Sequence, residues 1–118
     1  MNINHIVTLS TENIDAENYL PDASKIINGN PVQNVWDVFS SPDEKFQCGV
    51  WDAQAGRWKI NYSEQEFCLI LEGESVIHDN ESGSRTISAG DQFIIPAGFS
   101  GEWEVPNYCK KVYVIYQA

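Results

Sequence analysis

Basic residues are scarce in this sequence. Seven Lys and Arg stand against 17 Asp and Glu in 118 residues, which gives a formal net charge of −10. Affinity for nucleic acids and for anionic membranes is built largely on Lys and Arg side chains that neutralise phosphates. We therefore expect no nucleic acid and no membrane surface among the partners of this chain.

Long apolar runs are also missing. No run approaches the ~20 apolar residues that a helix needs to cross a bilayer. The first residues, MNINHIVTLSTENID, lack the basic and apolar regions of a secretory signal, so a cytoplasmic location is the expectation. The apolar content of 42%, with 4 Trp, 5 Tyr and 5 Phe, is nevertheless ample for the core of one domain.

Histidine and cysteine are few and scattered. The chain has two histidines, His5 and His78, and three widely spaced cysteines, Cys48, Cys68 and Cys109. A zinc or iron site commonly uses two or three His, and a nucleophilic Cys needs a nearby His. The sequence offers neither pattern, and no glycine-rich phosphate loop. We predict that the cysteines are buried thiols and that His78 is solvated or hydrogen-bonded.

The sequence does contain one short strand pattern after another from Val32 onward. Turn signals at 41–44, 53–56, 72–74, 89–91 and 96–98 separate the alternating segments. The predicted strands cover residues 34–40, 45–52, 57–62, 67–71, 75–78, 85–87, 92–95, 101–105 and 110–117. About nine short strands with turns every 8–12 residues favour an all-β sandwich, jelly roll or closed barrel.

Residues 1–31 are predicted to form an N-terminal arm in front of a β-barrel that covers residues 32–118. Residues 3–9 alternate as an edge strand would, and residues 16–19 follow capping side chains and stop before Pro21. We therefore predict an edge strand and a short helical turn in the arm. The arm would act as a lid or as a strand donor.

Two segments with glycines at fixed spacings form the most specific motif pattern in the sequence. Glu66 is followed after six residues by Gly73, and Gly90 is followed after five residues by Pro96 and then by Gly98. These segments resemble halves of the two cupin motifs, G-x5-H-x-H-x(3,4)-E-x6-G and G-x5-P-x-G-x2-H-x3-N. The resemblance implies an all-β cupin fold, a jelly-roll β-barrel.

A wider set of positions narrows the resemblance to one group of cupins. The chain is similar to small single-domain cupins of the ureidoglycine aminohydrolase-like group, which also includes domains attached to ethanolamine-utilisation proteins. The similarity implies a tendency to form homodimers, but it does not indicate a substrate. The positions that add to it are Gly49-x-Trp51, Gly56-x-Trp58, Asp91, Trp103 and Lys111-x-Tyr113.

The departures from the cupin motifs concern the metal ligands. The first-motif histidines fall on Ile60 and Tyr62, or on Lys59 and Asn61 with the longer spacing, and the second-motif histidine falls on Gly101. Of the ligand set that the resemblance implies, only Glu66 remains. We therefore predict no bound metal and no other cofactor. Asp91, directly after Gly90, is predicted to accept hydrogen bonds from turn amides.

Period-2 alternation, phased on the cupin motif positions, predicts which side chains face into the barrel. The motif does not settle which face of the last strand points inward. The predicted ligand-binding residues are Trp58, Tyr62, Glu66, Trp103 and Tyr113, and the candidate catalytic residues are Glu66, as a general base, and Lys111, as its partner. An aromatic box with one carboxylate suits a small polar or amine-type molecule.

Three functional hypotheses stay open from the sequence. The first is a metal-independent cupin that binds a small molecule in its barrel. The second is a structural or dimeric interaction module with a filled barrel. The third is an enzyme of the lyase, isomerase or aminohydrolase type that uses Glu66 as a general base. A homodimer is expected through free strand edges within residues 1–40.

Overall fold

Regular structure in the computed structural model, which describes all 118 residues, is almost entirely β-strand. Two 3-10 turns, Ile3–His5 and Ala23–Lys25, are the only helical segments, and no helix has the length and apolar character needed to span a membrane. The eight strands are β1 (Glu17–Tyr19), β2 (Ile26–Gly29), β3 (Gln33–Ser40), β4 (Phe46–Asn61), β5 (Gln65–His78), β6 (Ser84–Ser88), β7 (Gln92–Ile95) and β8 (Ser100–Tyr116).

The strands pair antiparallel in one sheet that folds into two layers. In the layer that we call the front layer, the first half of β4, the second half of β8 and the first half of β5 are neighbours. They are flanked by β3, with β1 outside it, and by β7. In the back layer the other halves of the same three strands are flanked by β2 and β6. This is the predicted all-β jelly-roll cupin architecture.

The three long strands pass from one layer to the other through β-bulges. We predicted turns at 53–56 and 72–74 and a break after residue 105, and these predictions are wrong. Instead, β4, β5 and β8 continue, with register shifts at Gln54/Gly56, at Ile70/Glu72 and at Gly73/Val76. Glycine and small polar residues favour a bulge as much as a turn, and a bulge bends a strand while most of its ladder stays paired.

The arm differs from both structures predicted for it, an edge strand over residues 3–9 and a short helical turn over residues 16–19. Residues 3–5 form a 3-10 turn, capped by the Asn2 side chain, and no strand forms over residues 3–9. Residues 17–19 form a strand rather than a helical turn because they pair with β3, where Asn18 Nδ2 donates a hydrogen bond to Asn34 Oδ1 at 3.1 Å. Pairing with a distant strand therefore overrides the capping signals that precede this segment.

Several local predictions are confirmed. Asp91 Oδ2 accepts a hydrogen bond from the Ser88 amide at 2.8 Å within the turn before β7. His78 Nε2 lies 2.8 Å from Glu104 Oε1. All three thiols are free; Cys68 and Cys109 are fully buried, whereas Cys48 is only half-buried because its side chain faces out from the front layer.

The core fills the space between the two layers. Trp51 of the front layer and Trp103 of the back layer pack edge to face with ring centroids 5.6 Å apart. Ile70, Val105 and other buried apolar side chains surround them. Towards one end of this core the side chains become polar, and a cavity opens there.

Candidate functional site

Six residues singled out from the sequence line one cavity of about 320 Å³ between the layers. Alternation along β4 and β5 turns their side chains inward, as predicted, and the inward face of β8, which the sequence left open, is the one that carries Lys111 and Tyr113. The roles of these residues in binding or catalysis stay predictions. The six residues are Trp58, Tyr62, Glu66, Trp103, Lys111 and Tyr113.

A buried ion pair lies at the inner end of the cavity. Lys111 Nζ is 3.2 Å from Glu66 Oε2, and both residues are 4% exposed. The Tyr62 hydroxyl donates a 2.6 Å hydrogen bond to the other carboxylate oxygen, Oε1. Each oxygen of Glu66 therefore already has a partner within the protein, which is the condition under which a buried carboxylate is tolerated.

The ammonium of Lys111 also lies against two indole rings. Its Nζ is 4.6 Å from the Trp51 ring centroid and 4.4 Å from that of Trp103, both within cation–π range. The rings are held in place because Trp51 Nε1 donates to Gln33 Oε1 at 2.8 Å and Trp103 Nε1 donates to Ser75 Oγ at 2.9 Å. The aromatic box with a carboxylate thus exists, and the cation inside it belongs to the protein itself.

The protonation states follow from this arrangement. Burial is the largest single influence on Lys111 and would lower its pKa, but the charge and hydrogen bond of Glu66, together with the nearby Cys68 and Cys109, outweigh it, so the net effect raises that pKa. Burial, together with the negative charge of Glu66, raises the pKa of Tyr62 well above its ordinary value. Burial raises the pKa of the neighbouring Cys68 thiol to about 12. At neutral pH the lysine is therefore charged and Tyr62 is a neutral hydroxyl donor.

The residues at the cupin metal positions do not fit a metal ion. Ile60 and Tyr62 face the cavity, whereas Lys59 and Asn61 are exposed on the outside. At Gly101 an added Cβ would lie 2.0 Å from the carbonyl oxygen of His78, so a histidine cannot stand there without moving the backbone. No group of three or more His, Cys, Asp or Glu side chains is arranged to hold a metal.

The cavity opens through an entrance formed partly by the arm. A hollow of about 360 Å³ adjoins it and shares Tyr19, Tyr62 and Glu64 with it. The segment from Tyr19 to Lys25 forms the arm side of this entrance. Burial and the charge of Glu66 raise the pKa of Glu64 at the mouth. A separate hollow of about 380 Å³ between β6 and β7 shares no lining residue with the site.

Sequence reasoning missed the side chains that the arm and β3 contribute. Gln33 and Val35 of β3 and Tyr19 of β1 line the cavity, and Gln33 is 4% exposed although it is polar. Trp51 also lines it; the sequence had singled out this residue only as part of the resemblance to cupins. The cupin motifs do not specify how the residues of β1 and β3 pair with neighbouring strands. Only the pairing Val35↔Trp51 in the structure reveals that these strands reach the site.

Sequence comparisons show which proteins the chain is similar to. The model of the EutQ-like cupin domain matches residues 40–113. The acetate kinase EutQ of Clostridioides difficile strain 630 is 27% identical over 103 residues, which cover 82% of this chain and 63% of that protein. The acetate kinase EutQ of Salmonella typhimurium is 36% identical over 69 residues, 58% of this chain and 28% of that protein. The chain thus spans less than two thirds of the curated relatives that it matches.

A solved structure supports the fold independently. A protein of unknown function from Pseudomonas syringae pv. tomato superposes with a TM-score of 0.79 at 22% identity, covering 91% of this chain and 46% of that one. The superposition concerns the fold alone. Because the family model covers more than half of the residues, from the end of β3 to the middle of the second half of β8, the chain belongs to the family of EutQ-like cupin domains.

Proposed function

We propose that this cupin domain binds a compact polar molecule in the barrel cavity, with an oxygen atom of the ligand against Lys111 and its apolar part against the tryptophan rings. The observation that carries the proposal is the Lys111–Glu66 pair at the inner end of an open, aromatic cavity of about 320 Å³. Ligand pockets are concave and mostly apolar, with a few polar groups that orient the ligand.

The ammonium of Lys111 is the group best suited to orient such a ligand. A lysine ammonium carries three N–H donors and no acceptor, and Glu66 takes one of the three. Lys111 also borders the cavity. A carbonyl, amide or carboxylate oxygen could therefore accept a hydrogen bond from Nζ, and the low polarity of the surroundings would strengthen it.

An amine-type ligand fits less well than the sequence indicated. Both Glu66 oxygens and the faces of Trp51 and Trp103 are engaged by Tyr62 and Lys111. A second ammonium in the cavity would meet the charge of Lys111 with no free carboxylate opposite it. Like charges at such short range disfavour each other strongly in a buried site. We therefore favour neutral or anionic oxygen-bearing ligands.

The catalytic hypothesis has less support than binding. A general base must accept a proton from the substrate, and both oxygens of Glu66 already interact with Tyr62 or Lys111, so a substrate would have to compete with these partners. Lys111 keeps its proton at neutral pH and is not a nucleophile in that state. The hypothesis of an interaction module with a filled barrel conflicts with the cavity of about 320 Å³. An interaction module that binds no ligand is the outcome that the following experiment would reveal if no molecule binds.

Acetate belongs among the first molecules to test. The curated relatives carry the name acetate kinase, and acetate is a small carboxylate whose oxygens match the proposed partner of Lys111. The kinase activity in that name concerns proteins of which this chain spans 63% or less. The proposal takes from it only a candidate ligand class, a small carboxylate.

The test is thermal unfolding with three probes of similar size: acetate, urea and n-propylammonium, each matched for ionic strength with sodium chloride. A ligand at about ten times its Kd adds roughly 1.4 kcal/mol, or about 4–6 °C for a domain of this size. Urea also weakens the folded state in general, so it stays at low concentration. We expect stabilisation by acetate or, at low concentration, by urea, and none by n-propylammonium.

Lys111→Met is the matched variant for this test, since it keeps the length of the side chain and removes the charge. The proposal expects the ligand-dependent shift to disappear in Lys111→Met. Equal shifts in the wild type and the variant would contradict it. Stabilisation by n-propylammonium alone would support the amine-type alternative, and no shift with any probe would favour an interaction module that binds no ligand.

A further inference from the structure

The two layers separate along one side of the molecule, where β6 ends the back layer and β7 ends the front layer. Each of these strands pairs only with β5, so no strand joins their outer edges. The hollow of about 380 Å³ lies in this opening, and we call it the β6–β7 hollow. Its apolar surface reaches the core and comes mainly from four buried or half-buried side chains, those of Ile77, Phe93, Ile95 and Phe99.

Arg85 of β6 is a charged residue on the inner face of its strand. It lies opposite Ile77 of β5 and two residues before Ile87, which is buried in the core. Side chains at these positions share one face of a sheet, so the side chain of Arg85 points towards the space between the layers. Arg85 accordingly lines the hollow, and it is exposed, as a residue at an opening between two layers would be.

The guanidinium of Arg85 has no anionic partner within the chain. None of the salt bridges uses it, although the chain has 17 Asp and Glu residues. Asp79 is the one carboxylate that lines the hollow, and its Oδ1 instead accepts hydrogen bonds from the amides of Glu81 and Gly83, both at 2.7 Å. A guanidinium carries five N–H donors in a planar fork that matches the two oxygens of a carboxylate. Arg85 is therefore free to bind an anion from solution.

We propose that the β6–β7 hollow is a second binding site, which takes a small amphipathic carboxylate with its charged group on Arg85 and its apolar body against Phe93 and Phe99. The cation selects an anion, and the aromatic surface selects an anion that carries an apolar group. Fork-to-fork hydrogen bonds between guanidinium and carboxylate are among the strongest in proteins, and an apolar surrounding strengthens them further. The volume of about 380 Å³ lies in the range of small-molecule pockets.

This second site is distinct from the barrel cavity. No residue lines both spaces. Ile95, which lines the hollow, lies opposite Glu66, which lines the cavity, and both residues are 4% exposed. A buried apolar side chain therefore borders the ion pair of the cavity on the side of the hollow. We expect a molecule in the hollow to contact Arg85 and not Lys111, so the two sites can be tested separately.

The experiment is an NMR titration of the full chain with benzoate, acetate and benzamide at equal ionic strength. The chain has only two arginines, so it gives two side-chain Nε–Hε signals, and that of Arg57, which is bound to Glu102, serves as an internal reference. We expect benzoate to shift the Arg85 signal and the amides of Phe93 and Ile95, and to leave Arg57 unchanged. Acetate lacks the ring and benzamide lacks the charge, so each should bind the hollow at least ~10-fold more weakly than benzoate.

Two variants with the same change in net charge complete the test. Arg85→Gln removes the guanidinium from the hollow, and Lys45→Gln removes a charge from an exposed residue in the turn before β4. The affinity of the hollow for benzoate should fall at least ~10-fold in Arg85→Gln, because the charged hydrogen bonds are lost, and stay unchanged in Lys45→Gln. The amide shifts of Phe93 and Ile95 report binding in both variants, so the comparison does not depend on the Arg85 signal.

Four results would overturn the proposal. They are equal affinity in the wild type and Arg85→Gln, benzamide or acetate binding the hollow as tightly as benzoate, shifts confined to residues of the barrel cavity, and no shift of Arg85 up to about 20 mM benzoate, a range that detects millimolar dissociation constants. The third result would still support binding in the cavity. The last would leave Arg85 as an inward-pointing charge that keeps the edge strand β6 from pairing with other chains.

Discussion

Lys111 is the residue around which the candidate site is arranged. Its ammonium contacts the one carboxylate that remains at a cupin metal position and lies over two indole rings. A cation therefore stands beside Glu66, but the protein supplies it covalently. This accounts for the missing histidines, because an ion pair needs no imidazole ligands, whereas a bound zinc or iron ion would need about three protein ligands.

The coupled groups in the cavity predict a loss of stability at alkaline pH. The pKa of Cys68 rises from 9.0 to about 12, chiefly by burial, and the pKa values of Tyr62 and Lys111 rise above 10.0 and 10.5. The folded protein thus keeps protons that the unfolded chain releases. Their contribution to stability is complete below about pH 9 and is lost as the pH rises through the higher folded values. Urea unfolding from pH 8 to 11.5 should show a flat region and then a fall of up to about 1.4 kcal/mol per pH unit for each group.

Tyr62→Phe is the control for this pH dependence. The variant removes one of the raised groups, so its unfolding free energy should fall less steeply above about pH 10 than that of the wild type. A wild-type stability that stays constant or increases up to pH 11.5 would show that these groups are not held protonated by the fold. An identical slope for Tyr62→Phe would exclude Tyr62 from the coupled set.

At the scale of the strand, the bulges in β4, β5 and β8 decide the architecture. Each long strand serves both layers, and the bulges mark where it passes from the front layer to the back layer. Gly73, in the bulged part of β5, has φ +73°, and an added Cβ would lie 1.9 Å from the carbonyl oxygen of Tyr108 on β8. Glycine is therefore required there both for the backbone angle and for the close approach of two strands.

Gly73→Ala and Gly90→Ala separate these two requirements. Both glycines have positive φ, so both variants incur the cost of an L side chain in the left-handed region, about 1–2 kcal/mol. At Gly90 an added Cβ meets nothing within 4 Å. We therefore expect Gly73→Ala to lose roughly 1–3 kcal/mol more in urea unfolding, the usual cost of overpacking. Equal losses would mean that the contact with Tyr108 does not constrain β5.

The strands and most of the cavity could be predicted from the sequence because period-2 alternation is a local property. Once the cupin motif positions fixed the phase, Trp58, Tyr62 and Trp103 were placed correctly on the inward face. The bulges could not be predicted because the same glycine and small polar residues signal a turn. The cavity residues Tyr19 and Gln33 were missed because they depend on pairing between strands that are distant in sequence.

The contact between Lys111 and the rings of Trp51 and Trp103 was also beyond the sequence. Trp51 is far from Lys111 along the chain, Trp103 lies on the same strand as Lys111, and the motif left the inward face of β8 open. The contact exists because β4 and β8 are paired with Trp51 opposite Lys111, while Trp103 approaches from the back layer. Only the layered fold brings an ammonium, a carboxylate and two indoles together.

For the whole molecule, the two layers have different exteriors and a common interior. The outward side chains of β8 are the apolar Val112 and Val114 in the front layer and the charged Glu102 and Glu104 in the back layer, and the cavity lies between the layers. The arm adds β1 and β2 to the two layers and forms one side of the entrance. The division into an arm of residues 1–31 and a barrel of residues 32–118 stays a prediction.

The central claim is that the aromatic cavity is organised around an internal ammonium, and chemical complementation of Lys111→Ala tests it most directly. The variant lacks three methylene groups and the ammonium, which n-propylammonium restores, while 1-propanol restores a similar shape without the charge. The measurement is the thermal unfolding midpoint of the variant and the wild type with each compound, at equal ionic strength. We predict that n-propylammonium raises the midpoint of Lys111→Ala by several degrees and leaves the wild type unchanged, and that 1-propanol stabilises neither. Equal responses of the variant and the wild type to n-propylammonium, or an equal effect of 1-propanol on the variant, would contradict the account.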